Sequence, residues 1–199
     1  MKIKCFTNLV SKATESRPTP EKMPAGNYGF TTRDVTLSNT ENDCALYVNI
    51  RVHGNDGLRN DISVRCQPGI DTPANWASAY SISNLIDAAS PGSSEDFMDL
   101  MNDSIDALDE GNEEEFAAVC TKMQQFVTSL IGGLNFDGRF TWNKSETTGR
   151  SYMNLRTSEG TGDDRKVTVT LSHTREPVTH EDNVPEGLKA KRTLVKGKR

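Results

Sequence analysis

Histidine is scarce in this chain: three among 199 residues, at positions 53, 173 and 180. None stands at a catalytic spacing from Cys or Ser, so a nucleophilic triad has no support. The four cysteines, Cys5, Cys44, Cys66 and Cys120, form no C-x-x-C pair and have no histidine at ligand spacing, which argues against zinc and favours reduced thiols. Cys44, Cys66 and Cys120 fall in or beside apolar patterns, where a small buried hydrophobe is the expected role. No G-x-x-x-x-G-K-[ST] occurs, which removes the P-loop hydrolases. No window approaches about 18 consecutive apolar residues, and "MKIKCFTNLVSKATES" has neither the apolar stretch nor the small-residue cleavage site of a secretory signal, so a cytoplasmic protein without membrane association is expected. These absences together point away from an enzyme and away from any cofactor or metal.

What is present reads as one domain with additions, since 199 residues suffice for a core and the hydrophobic fraction is a modest 34%. Residues 1–27, rich in Pro, Ser, Thr and charge from position 11 onward, predict a flexible leader, with the domain running over 28–176 and a basic tail over 177–199. Three strand patterns come first, "YGFTTRDVTLS" (28–38), "CALYVNIRVH" (44–53) and "DISVRCQ" (61–67), separated by turn chemistry. A helix follows, with Asp71 or Thr72 as cap and Pro73 in the first turn. Residues 93–131 then predict a helical hairpin broken at Gly111, in which Asn112 and Glu115 make a capping box and Gly132-Gly133 the stop. Strand patterns return at "GRFTWNK" (138–144), "RSYMNLR" (150–156) and "KVTVTLSH" (166–173). Five to six strands interrupted by helices after the third predict a small Greek-key barrel of the oligonucleotide-binding (OB) type, in the mainly β, β+α class, with a β-sandwich as the alternative.

Charge is unevenly distributed. Residues 93–115 hold ten acids and no Lys or Arg, so the formal charge of -5 is local, and the remaining chain has 18 acids against 23 bases. Asp99, Asp103, Asp106, Glu113 and Glu114 mark this run either as a solvated face or as a negative arm that competes with nucleic acid or recruits basic partners. They do not converge as the acids of a two-metal nuclease must. Residues 138–156 are the counterpart, with Arg139, Lys144, Arg150 and Arg156 beside Phe140, Trp142 and Tyr152 and a single acid, Glu146.

Side chains at i and i+2 of a strand share a face. Leu46, Val48, Ile50 and Val52 therefore point inward and Tyr47, Asn49, Arg51 and His53 outward; Arg65 faces out beside Asp61 and Ser63, and Arg150, Tyr152, Asn154 and Arg156 face out opposite Met153 and Leu155. Phe140 and Trp142 share a parity that leaves Arg139 on the other side; core packing is the first expectation for both, with Trp142 near enough to its strand end to reach a groove. The outer face thus collects Tyr47, Arg51, Arg65, Arg139, Arg150, Tyr152 and Arg156, joined by Trp142 and Lys144 as candidate contacts. Guanidinium groups for phosphates and flat rings for stacking are what unpaired nucleic acid requires. The tail adds Lys189, Lys191, Arg192, Lys196, Lys198 and Arg199, either as a solubilising terminus or as further phosphate contacts.

"MPAGNYGFTTRDVTLSNTENDCALYVNIRVHG" (23–54), with Pro24, Gly26 and Tyr28 in a P-x-G-x-Y signature and Val52 and Gly54 in a V-x-G-like turn, resembles the opening of small bacteriophage proteins often encoded beside replication and recombination genes. "FDGRFTWNKSETTGRSYMNLR" resembles their later strand pair, with a Gly-bearing loop before an aromatic residue, and the resemblance covers residues 28–67 and 134–156. It implies an OB-like fold and sequence-independent binding of single-stranded DNA, with RNA left open, in company with replication or recombination proteins and with self-association allowed. The long acidic hairpin and the basic C-terminus depart from that pattern. The alternative is a structural or interaction protein, a virion component or host-factor adaptor, acting through the acidic hairpin.

Overall fold

The computed structural model describes residues 23–40, 43–54, 57–145, 148–160 and 165–172. Tyr, Phe, Thr and Val in "GNYGFTTRDVTLSNT" build a 15-residue strand, β1 (Gly26–Thr40), around which the rest is arranged. Its first residues pair antiparallel with β4 (Asn135–Lys144), from Gly26↔Phe140 to Thr31↔Asn135. From Gly29 onward it pairs with β2 (Asp43–His53), through a register shift between Thr32 and Asp34 that leaves Arg33 as the extra residue of a bulge. β3 (Arg59–Cys66) pairs with β2, and β5 (Ser151–Arg156) with β4, so the sheet order is β3-β2-β1-β4-β5.

Three helices stand between β3 and β4: α1 (Pro73–Ala89), α2 (Ser94–Asp109) and α3 (Glu113–Ile131). Thr72 caps α1 by accepting from the Asn75 N–H, and Asn112 caps α3 by accepting from Glu115 N at 3.2 Å; the Glu115 carboxylate answers through the Asn112 side-chain amide at 2.7 Å instead of the backbone N–H of a full capping box, which goes to Ala107 O. The predicted hairpin therefore forms within 93–131, joined by α1 as a third helix. Buried Asn75 holds the turn before α1, accepting from Gln67 N and donating to the Gln67 and Ile70 carbonyls, each at 2.7 Å.

One apolar cluster unites sheet and helices. Phe30 stacks on Phe136 with centroids 5.5 Å apart and meets Phe140 edge-on, also at 5.5 Å, while Ile82, Leu85 and Ile86 of α1, Phe97 and Met101 of α2, and Met123, Val127 and Ile131 of α3 close over them. The inward sets Leu46/Val48/Ile50/Val52 and Met153/Leu155 lie where strand parity placed them.

Four expectations require correction. The sheet is not closed into a barrel: β3 and β5, the strands that would have to meet, share no ladder and touch through side chains, as in the Asn60 Nδ2 contact to Met153 Sδ at 3.4 Å. The layer facing the sheet is helical, so the β-sandwich alternative does not form. Residues 166–173 do not make one strand either. β7 (Lys166–Val167) pairs with the two-residue β6 (Ser158–Glu159), whereas β8 (Thr170–Leu171) crosses to β4. Thr168 enforces the break, its N–H bonding to Thr157 O and its hydroxyl to Arg156 O, both at 2.9 Å, while Val169 turns into the core. Finally, the packed body begins before Tyr28. Met23 is 3% exposed, its carbonyl accepts from the Trp142 indole at 2.7 Å, and Tyr28 Oη donates to Pro24 O. Residues 1–22 of the expected leader, and His173, His180 and the basic tail, lie outside the described residues.

Two substitutions test this packing. Thr32, fully buried at the bulge, donates its hydroxyl to Ile131 O at the end of α3. Thr32→Val keeps the shape and deletes the donor, and is expected to lower unfolding free energy by about 1–3 kcal/mol in urea titration, with Thr32→Ser losing less. Gly138 has ordinary backbone angles but no room: an added Cβ would lie 2.9 Å from Phe30 and 3.0 Å from Leu155. Gly138→Val is expected to cost roughly 1–3 kcal/mol by overpacking, read by the same titration.

Candidate nucleic-acid interface

Alternation along β2, β3, β4 and β5 turns Tyr47, Arg51, Arg65, Arg139, Tyr152 and Arg156 to the face of the sheet opposite the core, and Arg150 and Lys144 lie exposed at the β4–β5 connection. Six of the nine candidate residues therefore share one face; Arg150 lies just beyond the end of β5, and Lys144 ends β4 with the inward parity of Phe140 and Trp142. Trp142 does not join them. It has the inward parity, packs against the core cluster and gives its indole hydrogen to Met23 O, so its ring is held for packing.

The shared face holds two patches. On β2–β3, Tyr47 lies opposite Arg65, whose Nε donates to Tyr47 Oη at 3.2 Å and whose guanidinium carbon is 5.8 Å from the ring centroid. Four residues along, Arg51 forks onto Asp61, Nε to Oδ1 at 2.9 Å and NH2 to Oδ2 at 3.0 Å. The same carboxylate receives Arg33 NH1 at 3.7 Å. This pairing raises the Arg51 pKa and, first through the hydrogen bond from Arg51, lowers that of Asp61. With Arg59 exposed at the start of β3, three arginines surround one aspartate.

On β4–β5, Arg139 and Arg156 are directly opposed across the ladder. Like charges in that position repel. Glu159 of β6 takes Arg139 in an exposed ion pair, and Arg156 Nε reaches Thr141 Oγ1 at 3.4 Å. Tyr152, half exposed at 50%, completes this patch, with Arg150 exposed just before β5.

Register spreads these groups along the strands. Tyr47 is opposite Thr36 of β1 and Arg139 is opposite Asn27, nine residues apart or about 30 Å at the strand rise, while Arg51, opposite Thr31, is only four residues from Asn27. Between them lies a saddle of Gly29, Thr31, Asn135 and Asp137. Thr31 spends its hydroxyl hydrogen on Asn135 Oδ1 at 2.6 Å, so the 2.8 Å contact with His53 Nε2 must have the imidazole as donor. Burial, and then Arg59 and Arg51, lower the His53 pKa below its ordinary value of 6.5, leaving the ring neutral at pH 7.

The acidic candidates occupy another surface. Asp99, Asp103 and Asp106 recur at helical spacing along α2, with Asp96 and Glu110 extending the stripe, and Glu113 and Glu114 begin α3; all are exposed, and among the described residues none pairs with Lys or Arg. Glu113 and Glu114 suit the positive end of the α3 dipole. The helices cover the inner face of the sheet, which puts the acids across the core from the arginines.

Sequence reasoning missed Arg33, Arg59 and Glu159. Arg33 was detectable, since it shares parity with Thr31, but Arg59 sat in turn chemistry and nothing in "TSEGTG" announced a partner for Arg139. It also missed an aromatic group beside the second patch, where the Arg165 guanidinium lies 5.2 Å from the Tyr80 ring and Tyr80 is 6.4 Å from Trp76. Among the described residues no three His, Cys, Asp or Glu side chains are placed to hold a metal ion, and no helix is long and apolar enough to cross a membrane.

His53 supplies a pH test. The unfolded chain takes up its proton near pH 6.5 and the native ring only at lower pH, so this group's contribution to stability is present above 6.5 and is lost as pH falls toward the native value. An NMR titration should give a His53 midpoint below 6.5 that rises in Arg59→Gln, and His53→Gln should flatten part of the acid-side decline in stability. Comparison of the chain with protein-family models, with curated proteins and with solved structures finds no match.

Proposed function

We propose that this protein binds single-stranded nucleic acid, DNA in the first instance, through the outer face of its sheet, without reading sequence and without catalysing a reaction, in the service of phage replication or recombination. The observation that carries the reading is the opposed pair Arg139 and Arg156 beside exposed Tyr152: two guanidinium groups held together against their repulsion, with an aromatic ring at hand. A phosphate between them relieves the repulsion, and a base on the tyrosine adds stacking. The β2–β3 patch repeats the combination with Tyr47, Arg65 and the arginines around Asp61.

The topology supports this. A strand order of β3-β2-β1-β4-β5, a helical segment between β3 and β4, and near approach of β3 to β5 agree with an OB-like barrel left open at one seam. In that architecture the β2–β3 face and the β1–β2 and β4–β5 loops contact oligonucleotides, the regions where the two patches lie. A span of about 30 Å from Tyr47 to Arg139 falls within the roughly 4–16 nucleotides that one such fold covers. The second reading, an interaction protein acting through its hairpin, draws on the cation-free acidic stripe of α2.

Fluorescence anisotropy with labelled oligothymidylate, and with a duplex of equal length, separates the two. Affinity should exceed that for duplex and fall steeply between about 50 and 200 mM salt. Tyr152→Ala and Tyr47→Ala should each cost roughly 1–3 kcal/mol, about 5- to 150-fold in affinity. Arg156→Gln should flatten the salt slope, by about 0.7 for one phosphate left without its guanidinium. Binding indifferent to all three substitutions overturns the proposal. Capture of a basic partner that is abolished by neutralising Asp99, Asp103 and Asp106 supports the second reading instead.

A further inference from the structure

Seventy-six positions separate Cys44 from Cys120, yet their Sγ atoms lie 3.4 Å apart. The fold makes this contact. Cys44 begins the inward parity of β2, two residues before Leu46, and Cys120 lies on the face of α3 that covers the β1–β2 end of the sheet. Cys66, opposite Leu46 on β3, puts a third thiol in the same region. All three are reduced.

We propose that Cys44 and Cys120 are an oxidisable pair that a small-molecule disulfide, such as oxidised glutathione, converts into a covalent link between β2 and α3. The inference is independent of nucleic-acid binding. A disulfide needs its sulfurs at about 2.05 Å, so the native contact must shorten by roughly 1.4 Å, within the range of side-chain rotation.

Access assigns the roles. Cys44 is partly exposed beside the β1–β2 turn, whereas Cys120 and Cys66 are each 1% exposed. Cys44 as thiolate attacks the reagent, forming a mixed disulfide and releasing one glutathione thiolate; Cys120 as thiolate then attacks the Cys44 sulfur and displaces the second. Two protein thiols lose two protons and two electrons, and one glutathione disulfide becomes two glutathione thiols. Before that reaction Cys120 is held protonated, chiefly by its hydrogen bond with Cys44 and then by burial. Capping Cys44 removes the first restraint and frees Cys120 to act. Cys66 stays inert, its pKa pushed up to about 12 by burial.

The test treats the native full-length chain with oxidised glutathione, alkylates the remaining thiols and maps linkages by mass spectrometry. Cys66 and Cys120 share one tryptic peptide, since no Lys or Arg occurs between Arg65 and Lys122, so trypsin is combined with a glutamate-specific protease to separate all the cysteines. The expected product is an intramolecular Cys44–Cys120 link with a raised thermal midpoint, retained in Cys66→Ser and replaced in Cys120→Ser by a glutathione adduct on Cys44. A Cys44–Cys66 link, a glutathione adduct persisting on wild-type Cys44, links between chains through Cys44 or Cys120, or Cys44 and Cys120 left unreacted would each overturn the proposal; the wild-type map requires no variant to fold.

Discussion

The structure depends on how β1 changes partners. Up to Thr31 the strand has β4 on one edge, and beyond the bulge that edge is left without a strand. Buried amide and carbonyl groups there would go unsatisfied at a cost of roughly 1–3 kcal/mol each. The end of α3 meets the need. Thr32 N donates to Leu134 O at 3.0 Å, Gly133 N donates to Thr32 O at 2.8 Å, the Thr32 hydroxyl bonds to Ile131 O, and Gln124 Nε2 reaches Val35 O at 2.9 Å. One short segment therefore closes an exposed sheet edge, fixes the exit of the helical insertion and sets the point at which β4 enters the sheet. Gly133, in the left-handed region at φ 76°, permits the tight reversal.

This construction also sorts the charges. Because the insertion leaves and re-enters on the core side of the sheet, its ten acids are carried to the outer surface of the helices, and the arginines of β2–β5 keep the opposite face. An anionic strand approaching the molecule is repelled from one side and attracted to the other, so the charge separation orients the encounter even though the formal total is negative. Asp61 and Glu159 moderate the basic face without neutralising it: the first is shared by Arg33 and Arg51, and the second engages Arg139 while Arg156 beside it keeps its charge.

Local rules carried the sequence reading a long way. Strand parity assigned Leu46 through Val52 and Met153 with Leu155 to the core, and the capping chemistry of Asn112 and Glu115 located the hairpin turn to the residue. Features that depend on pairing between distant segments were not legible. Arg59 joins the sheet through the pairing of β3 with β2; residues 166–172 divide because Thr168 finds bonds on the β5–β6 connection; and the contact of Cys44 with Cys120 follows from how α3 lies on the sheet. Of the candidate residues, parity gave the side of the strand on which Tyr47, Arg51, Arg65, Arg139, Tyr152 and Arg156 lie, whereas their spacing along the sheet is set by register, which no single strand pattern contains.

Stability does not account for the residues on that face. Arg33, Arg59, Arg139, Arg150 and Arg156 are exposed, and the ion pairs they make with Asp61 and Glu159 are solvent-screened contacts of the kind that contribute about 0–1 kcal/mol. The opposition of Arg139 and Arg156 works against folding. Threonine or valine at those positions would suit the sheet better, and the half-exposed ring of Tyr152 covers no core surface that Met153 and Leu155 do not already seal from the other side. Glu159 relieves part of the repulsion by pairing with Arg139, and an anion beside Arg156 would relieve more, while the Tyr152 ring would lose its water under a flat, apolar surface; in the proposed reading a phosphate chain bearing unpaired bases supplies both together.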